Sequence, residues 1–321
     1  MIPRQKSIGG YFELELPHGT EYHSTAIALN TGHNCLEYIL RVRGYKRVFL
    51  PYYSCEVLLE PFNKLGIDYT FYHINERLEI DEDITLGDGE ALLCINYFGL
   101  KQDFVETLAV KYGQQLIVDN TQAFYARPIE GIDTFYSCRK FFGVADGAYL
   151  YCDKPLDMEL EQDQSWDRMT HLLKRIDISP EAAYDEYSQL EEQLKDKPIK
   201  TMSYLTHRIM TSIDYNLVKT KRRDNYMLLE SALSDRNGFS LLLADDAVPM
   251  VYPYLTTDPK LRQRLIDNKI YVATYWPNVL DWCSILDWEY LLTKNLVSIP
   301  IDQRYEDNEM QNIVDILTCL L

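Results

Sequence analysis

Apolar and polar positions alternate between two rhythms along the first part of the chain. Short apolar runs at Lys46–Pro51, Ile67–Tyr72, Ala91–Asn96 and Gln114–Val118 read as strands, and Cys35–Leu40 has helical spacing behind the polar residues Asn30, Thr31 and Asn34. The run at Ala91 is apolar on both faces, the pattern of a central parallel strand covered on both sides. Strands alternating with helices predict a doubly wound, mostly parallel sheet. Past Cys152 the chain becomes charged and helix-forming, with Glu159–Asp163 and Glu191–Lys195 as solvated faces. From Val248 the two rhythms mix, and strands are predicted over Val248–Pro253 and Lys269–Thr274. The expected division is a large α/β domain over 1–240, with a helical stretch at about 155–235, and a smaller carboxyl-terminal α+β domain over 241–321. No internal repeat or low-complexity tract interrupts it.

Charge narrows the partners. Acids outnumber bases 49 to 32, a formal net charge of −17, which argues against nucleic acid and anionic membrane as partners. Seven cysteines stand singly, without a C-x-x-C pair or metal-ligand spacing. They read as reduced, mostly buried thiols of a cytoplasmic protein that binds no metal. Met1–Lys6 lacks the apolar core of an export signal, and no stretch approaches a membrane span.

The chemistry concentrates between Asp119 and Ala148. Asp119 ends the strand predicted over Gln114–Val118, at the edge where open α/β sheets place their ligands. A carboxylate buried there needs a cationic partner. Gln122 follows, then Lys140 in the turn Ser137-Cys138-Arg139-Lys140-Phe141-Phe142-Gly143, then Asp146-Gly147-Ala148. Beside Arg139, Phe141 and Phe142, Lys140 is expected to be partly buried, which favours the neutral amine a Schiff base requires. A lysine for covalent attachment and a carboxylate for a pyridinium nitrogen are the groups that pyridoxal phosphate (PLP) demands.

This order resembles the sugar aminotransferases of the DegT/DnrJ/StrS family, in which an acid, two residues and glutamine precede a serine-rich turn with the cofactor lysine and then acid-Gly-Gly. The resemblance is strongest from Asn30 to Cys152, and weaker at Met202-Ser203 and from Val248 to Pro300. It implies the PLP-dependent transferase fold type I (aspartate aminotransferase-like) and PLP as cofactor. It further implies a homodimer with its site at the subunit boundary. The implied reaction moves an amino group from a donor such as glutamate to a nucleotide-linked keto sugar. Lys140 and Asp119 would be the catalytic pair, with Gln122 near the ring's phenolic oxygen. Gly32, His33 and Asn34 would form the glycine-bearing turn that holds the phosphate at a helix amino terminus, joined by Ser137. Arg139 reads either as a substrate anion contact or as a surface arginine.

Three departures stand beside these matches. Ser137 lies closer to Lys140 than is usual, and Ile199, followed by Lys200, replaces the asparagine that reaches the neighbouring subunit's phosphate. Cys55, ending Pro51-Tyr52-Tyr53-Ser54-Cys55, stands where a ring is expected to stack on the pyridine, which leaves Tyr53 or Tyr52 to supply that face. These departures favour a second reading, an idle relative that binds PLP or a sugar nucleotide as sensor or scaffold; an intact Lys140 argues against it. Sugar dehydration, where the family carries histidine for this lysine, fits least.

Overall fold

The computed structural model describes residues 8–320, so the Met1–Lys6 segment read above for an export signal lies outside them. Seven strands form the main sheet: β1 (Ile27–Leu29), β2 (Arg47–Pro51), β3 (Asp68–Tyr72), β4 (Glu90–Ile95), β5 (Leu116–Asp119), β6 (Asp133–Ser137) and β7 (Ala148–Tyr151), in the spatial order β1-β7-β6-β5-β4-β2-β3. Strands β2 to β6 run parallel, and β7 is antiparallel to both its neighbours, β6 and β1. Every residue of β5 and β6 is buried, which is why their sequences show no alternation.

Helices α1 (Gly32–Arg43), α2 (Glu60–Leu65) and α3 (Gln102–Tyr112) link these strands. Helix α1 begins where the Thr31 side chain accepts from the Asn34 N–H, and it ends at Gly44 in the left-handed region, φ 68°. Residues Asn34 to Leu40 are all buried, including Glu37, which Arg41 and Lys64 neutralise. The charged middle of the chain supplies α4 (Thr170–Asp177), α5 (Tyr184–Gln193), α6 (Tyr204–Met210) and the long α7 (Tyr215–Leu233). Between them, Lys200–Met202 returns to lie beside β1: the Lys200 carbonyl accepts from Asn30 N–H at 3.0 Å, and Met202 N–H donates to the Ala28 carbonyl at 3.2 Å.

A second, two-stranded antiparallel sheet pairs β8 (Val251–Leu255) with β9 (Leu296–Pro300), surrounded by α8 (Leu261–Asp267), α9 (Val279–Trp282), α10 (Trp288–Asn295) and α11 (Asp307–Leu320). Its core takes Tyr226, Leu229 and Leu233 from α7, whereas Val218, earlier on that helix, packs in the core of the main sheet. One helix thus anchors both cores.

Three expectations need correction. Lys269–Thr274 is not a strand: it meets β9 in one bridge, Ala273 to Ser298, because Lys269 turns to φ 62° and Tyr271 and Ala273 face solvent. Strand β8 starts at Val251 rather than Val248, since Pro249 has no N–H for a ladder. Gly113–Gln115 is a 3-10 turn, so β5 starts at Leu116. All seven cysteines are free, but only Cys35, Cys94 and Cys138 are fully buried. No helix among the described residues is long and apolar enough to cross a membrane.

Candidate functional site

Asp119 sits at the carboxyl end of β5, in register with Ile95 of β4 and Phe135 of β6, and is 4% exposed. Its Oδ1 accepts from Thr121 N–H at 2.8 Å, and Thr121 is its hydrogen-bonding neighbour. Burial pushes the carboxyl up to about 6, against those bonds and the nearby positive charge of Lys140. The N-terminal turn of α1 lies alongside: a Cβ on Gly32 would stand 3.2 Å from Thr121 Cγ2. Glycine there lets the helix start approach the β5 loop closely.

Lys140 is exposed, which corrects the partial burial expected of it. The reason lies in its neighbours. Phe141 and Phe142 turn inward against Phe124, at centroid distances of 5.8 and 4.9 Å, so the lysine between Arg139 and these rings points outward. It enters no ion pair among the described residues. Asp146 and Gly147 hold the far end of this loop. Asp146 is fully buried and accepts from Ser203 N–H at 2.8 Å, Ser203 Oγ at 2.7 Å and the Thr206 hydroxyl, while Gly147 N–H donates to the Asn30 carbonyl at 2.6 Å.

Cys55 is half-buried and lies within the fields of both Asp119 and Lys140; burial pushes its thiol up, and the lysine charge acts the other way. Cys55, Asp119 and Lys140 are therefore brought together. The nearby tyrosines are committed elsewhere. Tyr52 stacks on Phe71 at 4.8 Å and lies tilted against His73 at 4.6 Å, and the fully buried Tyr53 packs edge-on against Trp276 at 5.0 Å. The Tyr53 hydroxyl has no hydrogen-bond partner among the described residues.

Gln122 is buried, and its Oε1 accepts from Phe98 N–H at 2.9 Å, which fixes the amide and leaves its NH2 as the available edge. His33 is held neutral: burial and the Arg139 charge bring its imidazole down to about 4, and its buried Nε2 has no hydrogen bond among the described residues, Glu60 Oε2 lying 3.8 Å away. Asn34 is structural, because its Nδ2 donates to Asn30 Oδ1 at 2.9 Å and Pro198 O at 3.1 Å. Ser137, nearly buried, ends β6. Ile199 is buried within its own chain, and Lys200 pairs with Glu161 at 2.9 Å. Arg139 pairs with Glu191, which occupies the charge read as a substrate contact.

The arrangement suits PLP. Among the described residues a buried carboxylate without an ion-pair partner lies within the field of a lysine that has none, beside a helix start that glycine lets lie close and a buried imidazole nitrogen with no hydrogen bond. Lys140 also borders a cavity of about 1130 Å³ whose far walls come from the carboxyl-terminal half, including Arg222, Asp302, Gln303 and Arg304. These residues escaped the sequence reading. The basic run Lys219-Thr220-Lys221-Arg222-Arg223, in so acidic a chain, was the available signal.

No protein-family model matches the sequence, and no curated protein matches it. Solved structures do. The sugar aminotransferase CalS13 from Micromonospora echinospora superposes with TM-score 0.60 at 14% identity, over 92% of this chain and 87% of that one. DesV of S. venezuelae, solved with a ketimine intermediate, gives 0.64 at 18% identity, over 91% and 83%. A DegT DnrJ EryC1 StrS aminotransferase from Brucella abortus gives 0.61 at 15%, over 92% and 85%. With a large, mostly parallel mixed sheet matched over nine-tenths of its length, this chain has the fold of the sugar aminotransferases, the PLP-dependent transferase fold type I.

Proposed function

We propose that this protein is a PLP-dependent aminotransferase of the DegT/DnrJ/StrS family, moving an amino group from an amino acid such as glutamate to a nucleotide-linked keto sugar. The observation that carries the reading is the buried, ion-pair-free Asp119 carboxylate within the field of an exposed Lys140. When bound, the cofactor supplies an electron sink for the substrate carbon. Asp119 keeps a ring nitrogen protonated, a pairing that also relieves its own burial. Lys140 Nζ would hold the cofactor and would carry a proton to and from the substrate carbon. Gln122 offers its NH2 to the phenolic oxygen, its carbonyl being held by Phe98. The Gly32 and His33 amides, the His33 ring and Ser137 hold the phosphate at the start of α1.

Within the same proposal the protein is a cytoplasmic homodimer and the chain divides near residue 240, with α7 serving both halves. Borohydride reduction of PLP-saturated protein, followed by peptide mapping, should place a pyridoxyl group on Lys140. No label there at saturation refutes the assignment. A label without spectral response to glutamate would favour the binding-only relative.

A further inference from the structure

The cavity that Lys140 borders contains a buried positive charge that no carboxylate among the described residues contacts directly. Arg222, on α7, is 2% exposed and forms no ion pair among the described residues. Its partners are neutral: Nε donates to Gln303 Oε1 at 3.1 Å, Nη1 donates to the Met250 carbonyl at 2.9 Å and the Pro249 carbonyl at 3.4 Å, and the guanidinium lies 4.5 Å from the Phe141 ring centroid. Nη2 has no hydrogen-bond partner among the described residues. Asp302, an acid on the same wall, is taken by Arg304 through bonds of 2.6 and 2.8 Å. Glu181, on another wall, is bonded by the Tyr271 hydroxyl. Burial draws the Arg222 guanidinium down to about 10, against the opposing pull of the nearby Asp302 charge, which is shared with Arg304, so it is still a cation at neutral pH.

A buried guanidinium left without an anion costs several kcal/mol relative to water, and the fork geometry of arginine is made for an oxyanion. Arg175, exposed on the cavity wall, adds a second cation with no ion pair among the described residues. We infer that Arg222 is the anion anchor of this cavity, receiving through its Nη2 edge a carboxylate or phosphate of the molecule that Lys140 meets. The inference rests on the reading of Lys140 as the reacting end. It adds that specificity is set by a residue of α7, remote in sequence from the Asp119–Gly147 motif.

The test is calorimetric titration of PLP-loaded protein with 2-oxoglutarate and, separately, with inorganic pyrophosphate. Binding of the first alone identifies a carboxylate as the guest, and of the second alone a phosphate. Arg222→Lys, which keeps the charge and loses the fork, should weaken the bound probe tenfold or more, and Arg175→Ala should weaken it less. Absence of binding by either probe, or binding undiminished in a folded Arg222→Lys protein, overturns the inference. Should that variant fail to fold by circular dichroism, hydrogen exchange of the wild type decides. Slowed exchange around 222 and 302–304 with probe supports the anchor, and unchanged exchange there overturns it. Borohydride labelling reports on Lys140 separately, and the titrations are repeated on protein without PLP, so failure of either assignment is visible without the other.

Discussion

Gln303 donates from Nε2 to the carbonyl of Phe141 at 2.9 Å, so a residue just past β9 holds the backbone of the residue that follows Lys140. Its Oε1 accepts from Arg222 at 3.1 Å, and Arg222 lies over the Phe141 ring. A single amide thus ties α7 and the second sheet to the lysine turn. Gln303→Ala strips partners from a carbonyl and a guanidinium N–H, at about 1–3 kcal/mol. Melting should fall by roughly 2–8 °C, and turnover should drop further than stability explains, since the turn loses its brace. Parallel melting curves and initial rates check this; unchanged rates would reduce Gln303 to a structural bond.

Asp119 makes an opposite prediction with and without cofactor. Its folded pKa of about 6, above the ordinary 3.8, means that folding binds a proton between those values, so its contribution falls as pH rises from about 4 to 6 and then stays flat. Cofactor-free Asp119→Asn should therefore be more stable than wild type at pH 7.5, by up to about 3 kcal/mol, with the gap closing toward pH 4. Both proteins should still lose stability in acid. His23 and His33, each held near 4 against an ordinary 6.5, resist protonation in the fold, and their contribution is lost as pH falls from 6.5 to 4. With PLP the same substitution should cut half-transamination by orders of magnitude. Melting curves at several pH values and single-turnover kinetics test the two halves.

Cys55 lies near both Asp119 and Lys140 without offering a ring. Cys55→Trp should place one over the pyridine and tighten PLP by roughly fivefold to tenfold, for about 1 kcal/mol of stacking. Dissociation constants from spectral titration decide. Equal values would mean that position 55 is not where a ring stacks on the pyridine.

Gly147 has φ +113°, and an added Cβ would stand 2.8 Å from Thr206 Cγ2 and 3.2 Å from Cys138 Sγ. Gly147→Ala should cost about 2 kcal/mol or more in strain and crowding, a melting shift of roughly 4–8 °C. Gly131→Ala, also at positive φ but with nothing within 4 Å, should cost less. Equal losses would show that backbone conformation alone matters at Gly147.

The sheet was largely legible because its central strands are buried on both faces, and continuous apolar runs such as Ala91–Ile95 mark such strands. Asp119 was legible from its strand-end position, whereas Cys55 and Lys140 were placed beside it by the resemblance to the sugar aminotransferases. What escaped was long-range. Nothing local distinguishes Gln303 or Arg222 from other polar residues, and their partners lie 162 and 28 positions away. Lys140 was misjudged in burial because its flanking phenylalanines were read as cover, whereas a turn sends neighbouring side chains to opposite sides. Lys269–Thr274 shows a strand pattern with too little partner backbone to realise it.

The return of Lys200–Met202 alongside β1 has a consequence for how molecules of this protein can meet. That flank of the main sheet already spends its ladder groups on its own chain, so no foreign strand can zip onto it. Among the described residues, the open edge left to the main sheet is β3, five residues long and led by Asp68, a short and charged template. Contacts between copies along the β1 flank must therefore be built from side chains rather than from shared backbone, and crowding should leave the fold unpolymerised on that side.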